Sequence, residues 1–208
     1  MPVTINGDGS ITGLSAGGLP AGSVTDATIA GMSASKLSGA LPAISGASLT
    51  GLSSGLSMAD QWRLSDTGSE FNGNFTSHWE RCDSYGFGQL GTGMTESSGV
   101  FTFPSTGIYR IDAQGSSKRT DNITIPEIDL VIQSTTDNSN YNALSMSTGH
   151  IGGANNSYAV AYCSAIFDVT NVSTHKIKLY CNASNPTNFR GNTNTTRTGL
   201  MFLRLGDT

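Results

Sequence analysis

The first 58 residues contain no Phe, Trp or Tyr and carry only three charges, Asp8, Asp26 and Lys36, while holding 11 of the 26 glycines. A stretch this poor in bulky side chains cannot bury enough apolar surface to offset its backbone entropy, so it does not fold alone. It is not a plain spacer either. Val3, Ile5, Ile11, Leu14, Leu19, Val24, Ile29, Met32, Leu37, Leu41, Ile44, Leu49, Leu52 and Leu56 recur every third to fifth residue, where a spacer would place Ser, Gly and charge. The pattern reads as an extended arm, residues 1–59, that gains structure by docking on copies of itself or on a partner. Ile5, Ile11, Leu14, Ile29, Met32 and Ile44 are the expected anchoring knobs.

The arm repeats irregularly. Ile11-Thr12-Gly13-Leu14-Ser15, Ile29-Ala30-Gly31-Met32-Ser33 and Ile44-Ser45-Gly46-Ala47-Ser48 share Ile-x-Gly-apolar-Ser, and two of them run on to Leu19-Pro20 and Leu41-Pro42. The prolines exclude long helices, though a short one fits Asp26–Leu37. Fully extended, the arm spans on the order of 190 Å at most, from roughly 3.3 Å per residue.

The formal charge of -4 divides as one Lys against two Asp in the arm and ten Lys and Arg against thirteen Asp and Glu after it. Without a basic stripe, no nucleic-acid partner is expected. No apolar run is long enough to cross a bilayer, so no membrane insertion is expected. The start, Met1–Asp8, lacks the basic and apolar regions of a secretory signal. In that setting the sequons at Asn74, Asn122, Asn155, Asn171, Asn182 and Asn194 read as products of an Asn, Ser and Thr-rich composition. The odd set Cys82, Cys163 and Cys181 has no framework spacing. Buried free thiols and a Cys163–Cys181 pair both stay open.

From Trp62 the pattern changes to short apolar or alternating segments cut by Gly, Pro, Asn and Ser, the signature of an all-β sandwich or barrel over residues 60–208. Strands are expected at 61–64, 99–103, 107–115, 128–133, 159–169, 175–182 and 199–205. Tyr109, Ile111 and Ala113 alternate with Ile108, Arg110 and Asp112; Ile177, Leu179 and Cys181 alternate with Lys176, Lys178 and Tyr180. Residues 159–167 and 199–205 are instead apolar on both faces. Such strands must be covered twice, by a second sheet or by another subunit. Leu200, Met201, Phe202 and Leu203 are therefore expected at a contact between copies.

Gly99-Val100-Phe101-Thr102-Phe103-Pro104-Ser105-Thr106-Gly107-Ile108-Tyr109 resembles the Gly-x-Phe-x-x-Pro-x-x-Gly-x-Tyr signature of the C1q and tumour-necrosis-factor-like jelly roll. The final strand, Thr198–Leu205, is similar to that family's terminal element, with Gly and Phe displaced. The resemblance covers residues 60–208 and implies an antiparallel jelly-roll sandwich that closes as a homotrimer, commonly behind a stalk. The family's calcium-binding acidic loops have no counterpart that can be placed here, so no metal is carried over.

The arm and head together resemble structural proteins of tailed bacteriophages, especially of marine cyanobacterial phages. Those often open with a Met-Pro-x-Thr-Ile-x-Gly-like start and a Gly/Ser/Ala-rich repeat with Gly-Leu-Ser steps. This resemblance implies a virion-surface protein assembled in the host cytoplasm, its arm bound to other virion proteins. It is a short fibre or spike that attaches to the host, or a capsid decoration protein whose arm clamps the shell. A soluble C1q-like carbohydrate-binding protein is the third reading.

No nucleophile elbow, P-loop, dinucleotide fingerprint or His-Glu-x-x-His motif is present. His78, His150 and His175 are scattered. Glu80 and Asp83 beside His78 form no recognisable catalytic pair, and neither enzyme activity nor a cofactor is expected. Binding is the better candidate. The loops 134–142 and 185–197 combine amides and hydroxyls, which pair with sugar hydroxyls, with an aromatic able to stack on a sugar ring. The residues expected to meet a host-surface glycan or protein are Tyr141, Asn142, Asn188, Phe189, Arg190 and Arg197.

Overall fold

The structure is a computed structural model, and it describes residues 4–5, 7, 11–12, 55–66, 69–119, 121–185 and 187–208. The chain divides into two units, Met1–Gly51 and Leu52–Thr208. In the first, β1 (Thr4–Ile5) and β2 (Ile11–Thr12) pair antiparallel, with Ile5 opposite Ile11. The expected knobs Leu14, Ile29, Met32 and Ile44 and the short helix at Asp26–Leu37 lie outside the described residues.

The second unit is a sandwich of two antiparallel sheets. Its strands are β3 (Met58–Leu64), β4 (Ser69–Phe71), β5 (Gly73–Asn74), β6 (Trp79–Arg81), β7 (Thr95–Ser97), β8 (Val100–Thr102), β9 (Gly107–Lys118), β10 (Ile125–Thr135), β11 (Asn142–Ile151), β12 (Tyr158–Val169), β13 (Lys176–Ala183), β14 (Thr187–Phe189) and β15 (Gly199–Gly206). The first sheet runs β11-β10-β13-β8-β7, with β5 also on β13. In the second, β9 carries β12 along one side and β14 then β15 along the other, and the sheet continues through β3 to β6.

Alternation decides what goes inside. Tyr109, Ile111 and Ala113 of β9 and Ile177, Leu179 and Cys181 of β13 point into one shared core, as their period of two requires. The Gly99–Tyr109 motif works as a unit. Ser98 (φ 51°) and Gly99 (φ 80°) form a two-residue turn between β7 and β8, and a Cβ on Gly99 would meet the Phe75 carbonyl oxygen at 2.1 Å. Phe101 and Phe103 are buried, with Phe103 4.6 Å from the Tyr109 ring. The Tyr109 hydroxyl donates to the Ser105 carbonyl at 2.9 Å, tying the Pro104 turn to the core.

The sequence shows no strand at β11, because Ser, Thr and Gly separate its few large apolar groups. β11 forms by edge pairing with β10, with Met146 opposite Val131. Residue 142 therefore begins a strand instead of ending a loop. The three cysteines are free and buried. Cys163 projects from the second sheet and Cys181 from the first, and burial pushes their thiols up to about 11 and about 12.

Candidate functional site

The outer face of the second sheet carries the most unusual surface of the head. β12 alternates strictly, placing Ala161, Cys163, Phe167 and Val169 in the core and Tyr158, Val160, Tyr162 and Ile166 outside. Val160 is 71% exposed and Ile166 65%. A row of apolar groups this open on one strand is the kind of surface found at contacts with other proteins or membranes. Beside it, the Tyr162 hydroxyl donates to Asp112 Oδ1 at 2.6 Å, and Arg110 reaches both oxygens of the same carboxylate at 3.0–3.1 Å. These contacts leave Asp112 buried on the outer side of the sheet. The hydrogen bond to the carboxylate raises the Tyr162 pKa, and the one from Arg110 raises that of the guanidinium. A cleft of about 200 Å³ lies between Tyr162, Gln61, Gln114, Thr196 and Met201. It is smaller than an ordinary small-molecule site.

Two of the four residues expected at the contact between copies are elsewhere. Leu200 and Phe202 are buried in the sandwich itself, Phe202 5.4 Å from the Phe101 ring. Met201 and Leu203, half-buried, lie on the alternate outward face of β15, two strands from β12. The error has a physical source. A strand apolar on both faces identifies its parity only once its sheet partners are known, and here even numbers point inward on β15 but outward on β12. Val160, Tyr162 and Ile166 are legible only as members of a two-faced segment, and Tyr158 precedes the strand expected there.

The recognition residues do not form one patch. Residues 136–141 connect the end of β10 at Thr135, opposite Lys176, to the start of β11 at Asn142, and the Asn138 amide donates to the Thr174 carbonyl. This is the end of the head where β3 begins and β12 finishes. Tyr141, its ring 3.8 Å from Lys178 Nζ, and Asn142 belong there. Asn188 pairs with Lys118 at the opposite end, where the Arg190 amide donates to Ser116. The Arg190 guanidinium lies 4.9 Å from the Tyr158 ring centre. Arg197 is half-buried, its carbonyl accepting from the Gln114 amide. Phe189 is not a recognition residue at all. It is 1% exposed and packs edge-on against Phe75 at 4.8 Å, an anchor for the strand β14 inside an otherwise polar stretch.

Glu80 and Asp83 have a structural task. Arg63, an outward residue of β3, is 0% exposed because the segment 82–93 folds over it. Its Nε donates to Glu80 at 2.6 Å and its Nη2 to Asp83 at 2.9 Å. Among the described residues, no group of three His, Cys, Asp or Glu is placed to hold a metal ion.

No family model matches the sequence, and no curated protein matches it. Solved structures do. The structure of Eiger TNF from S. frugiperda is similar with a TM-score of 0.56 at 11% identity, over 74% of this chain and 96% of that one. Murine APRIL at pH 5.0 is similar with a TM-score of 0.50 at 14% identity, over 71% of this chain and 98% of that one. The head is a TNF-like jelly roll. At these identities the likeness carries the fold, and the jelly roll's two antiparallel sheets are those described above.

Proposed function

We propose that the chain is a non-enzymatic, homotrimeric surface protein of a tailed-phage virion, a short fibre or spike. Its arm binds other virion proteins and its jelly-roll head meets the host surface. The observation that carries the self-association is the exposed row Tyr158, Val160, Tyr162 and Ile166 on β12, on the same outer face as Met201 and Leu203 of β15. Burying Val160 and Ile166 against a second copy contributes roughly 1.5–3 kcal/mol each. A face that docks on a different patch of the next copy closes as a ring when the rotation permits, and the C1q and TNF-like resemblance implies a threefold ring. The virion setting is supported by the opening residues and the Gly/Ser/Ala-rich repeat of the arm.

Native mass measurement in dilute buffer tests the assembly. The expected species has three times the 21.6 kDa of the chain, and a stable monomer overturns the reading. Particles made with a chain lacking residues 1–58 should contain no head. Normal incorporation would put the anchor elsewhere. If loss of the whole protein weakens the capsid to heat while leaving adsorption intact, the protein decorates the shell and does not attach.

A further inference from the structure

With Phe189 in the core, the Asn/Thr-rich loop has lost the aromatic that the recognition reading gave it, and the fold supplies another. Segment 82–93, which buries Arg63, makes a tight turn at its tip. The Ser84 carbonyl accepts the Phe87 amide at 3.1 Å, with Tyr85 at φ 52° and Gly86 at φ 86°. A tyrosine in the left-handed region is unusual and strained. This one is 83% exposed, and its ring has no ring or cation contact among the described residues. The turn is nevertheless fixed at its base, because Asp83 holds the fully buried Arg63.

The same tip touches the loop 191–197. Ser84 Oγ donates to the Thr193 carbonyl at 3.2 Å. That loop is built from within: Asn192 Oδ1 accepts the amides of Asn194 and Thr195, both at 2.9 Å, and the Asn192 amide donates to Leu64. Thr196 Oγ1 accepts from Gln61. These bonds fix the backbone and leave Thr193, Asn194 and Thr195 exposed. Their side-chain hydroxyls and amide have no hydrogen-bond partner among the described residues. An open aromatic ring thus stands one residue from the Ser84–Thr193 bond that joins its loop to one carrying two free hydroxyls and a free amide.

We infer that Tyr85 with Thr193, Asn194 and Thr195 forms a carbohydrate-binding subsite for a neutral hexopyranose on the flank of the head. The inference rests on the attachment reading and names the class of receptor. A pyranose offers an apolar C–H face that fits a flat ring, and hydroxyls at its rim that pair with an amide, which both donates and accepts, and with Thr hydroxyls. Asp83, the one charged side chain at the tip, is a carboxylate and disfavours sialylated or sulfated sugars. A protein hot spot would instead need a desolvated cluster of anchors, whereas Tyr85 is 83% exposed and the apolar groups of its segment, Phe87 over Arg63 and the exposed Leu90, lie further along the loop.

The test uses the full-length protein on surfaces bearing glucose-, galactose- or mannose-terminated oligosaccharides and their sialylated counterparts, with host-cell adsorption measured in parallel. Wild type should bind at least one neutral series and not the sialylated ones. Tyr85→Gly suits the positive φ, so the turn is retained while the ring is lost. This change and Asn194→Ala should each weaken binding at least tenfold at unchanged oligomer mass, Tyr85→Trp should retain it, and Gln133→Glu on the first sheet should leave it unaltered. Binding of Tyr85→Gly equal to wild type overturns the subsite. So does a Tyr85→Gly protein of altered oligomer mass, which would make Tyr85 a contact between copies. Adsorption that needs the protein but neither a neutral glycan nor Tyr85 overturns the subsite and leaves the attachment reading standing, with a protein receptor in place of a sugar. Adsorption that does not need the protein overturns both.

Discussion

The two outer faces of the sandwich solve the same problem differently. On the first sheet, Asp129 is buried on the outer side of β10, and its two oxygens accept from Thr148 Oγ1 at 2.7 Å and Asn182 Nδ2 at 3.1 Å. Further along the same face Val131 lies between Tyr180 and Met146, and Gln133 then pairs with Lys178, so polar side chains flank a single apolar step. On the second sheet the half near β6 is charged, and the chain covers it with its own segment 82–93 over Arg63. The half near β12 pairs its one buried carboxylate, Asp112, with Arg110 and Tyr162 and leaves the apolar row beside it open. A buried charge needs partners of fixed geometry, which the same chain can supply locally. An apolar row needs only a complementary surface, which in the proposed assembly another copy supplies. The contrast marks where the molecule ends and where an assembly begins.

The largest expected effect breaks the contrast outright. Val160→Glu with Ile166→Glu places two charges in the proposed contact, where a desolvated charge without a partner costs several kcal/mol. The oligomer should dissociate to 21.6 kDa chains that keep their β circular dichroism. Gln133→Glu on the first sheet should leave the mass unchanged. If both variants stay assembled, the copies meet elsewhere.

The covered half comes next. Arg63→Met keeps much of the stem volume but leaves Glu80 and Asp83 without their cation. Glu80 is only partly exposed, so a loss of about 2–4 kcal/mol in urea unfolding is expected. Asp83 is open to solvent and contributes little of this. Segment 82–93 should also become more susceptible to protease than in wild type. Unchanged stability would show that the loop, and not the ion pairs, holds this edge.

The core between the faces has its own signature. Cys163 and Cys181 titrate near 11 and 12 in the folded chain against about 8.5 unfolded. Above pH about 9 the unfolded state therefore loses protons that the native state keeps, and stability falls as pH rises. The contribution is complete below about 8.5 and is lost through the folded values, at about 1.4 kcal/mol per thiol per pH unit. Unfolding midpoints at pH 8, 9 and 10 should drop more steeply for wild type than for Cys163→Ala with Cys181→Ala. Equal slopes would mean that the thiols are accessible in the native state.

Much of the fold is legible in sequence because a half-buried strand must alternate. β9 and β13 announce their inward residues directly, and the Gly99–Tyr109 motif announces a turn with an aromatic lock. Legibility fails where tertiary pairing overrides local pattern. β11 has no alternation to display, and Phe189 sits among Asn, Thr and Arg yet anchors a three-residue strand. Parity also fails on the two-faced strands, so Leu200 and Phe202 exchange places with the outward residues of β12. Tyr85 was invisible for a different reason. Its exposure depends on Arg63, twenty-two positions earlier in the chain, being buried beneath its loop, and no local rule relates the two.

The smallest effect sharpens the contrast from the polar side. Asn182→Ala removes one of the two side-chain donors to Asp129 while Thr148 continues to donate to the other oxygen. A hydrogen bond to a charged group is worth about 1.5–3 kcal/mol when well buried. Asn182 is exposed, so water can take its place, and the loss should be nearer 1 kcal/mol. Denaturant titration should show that shift with no change in the denaturant slope, since no additional surface is uncovered in either state. Oligomer mass and glycan binding should both be unaffected. Altered assembly in this variant would mean that the first sheet also faces another copy, and the division between a wet face and a covered one would then fail at its polar half.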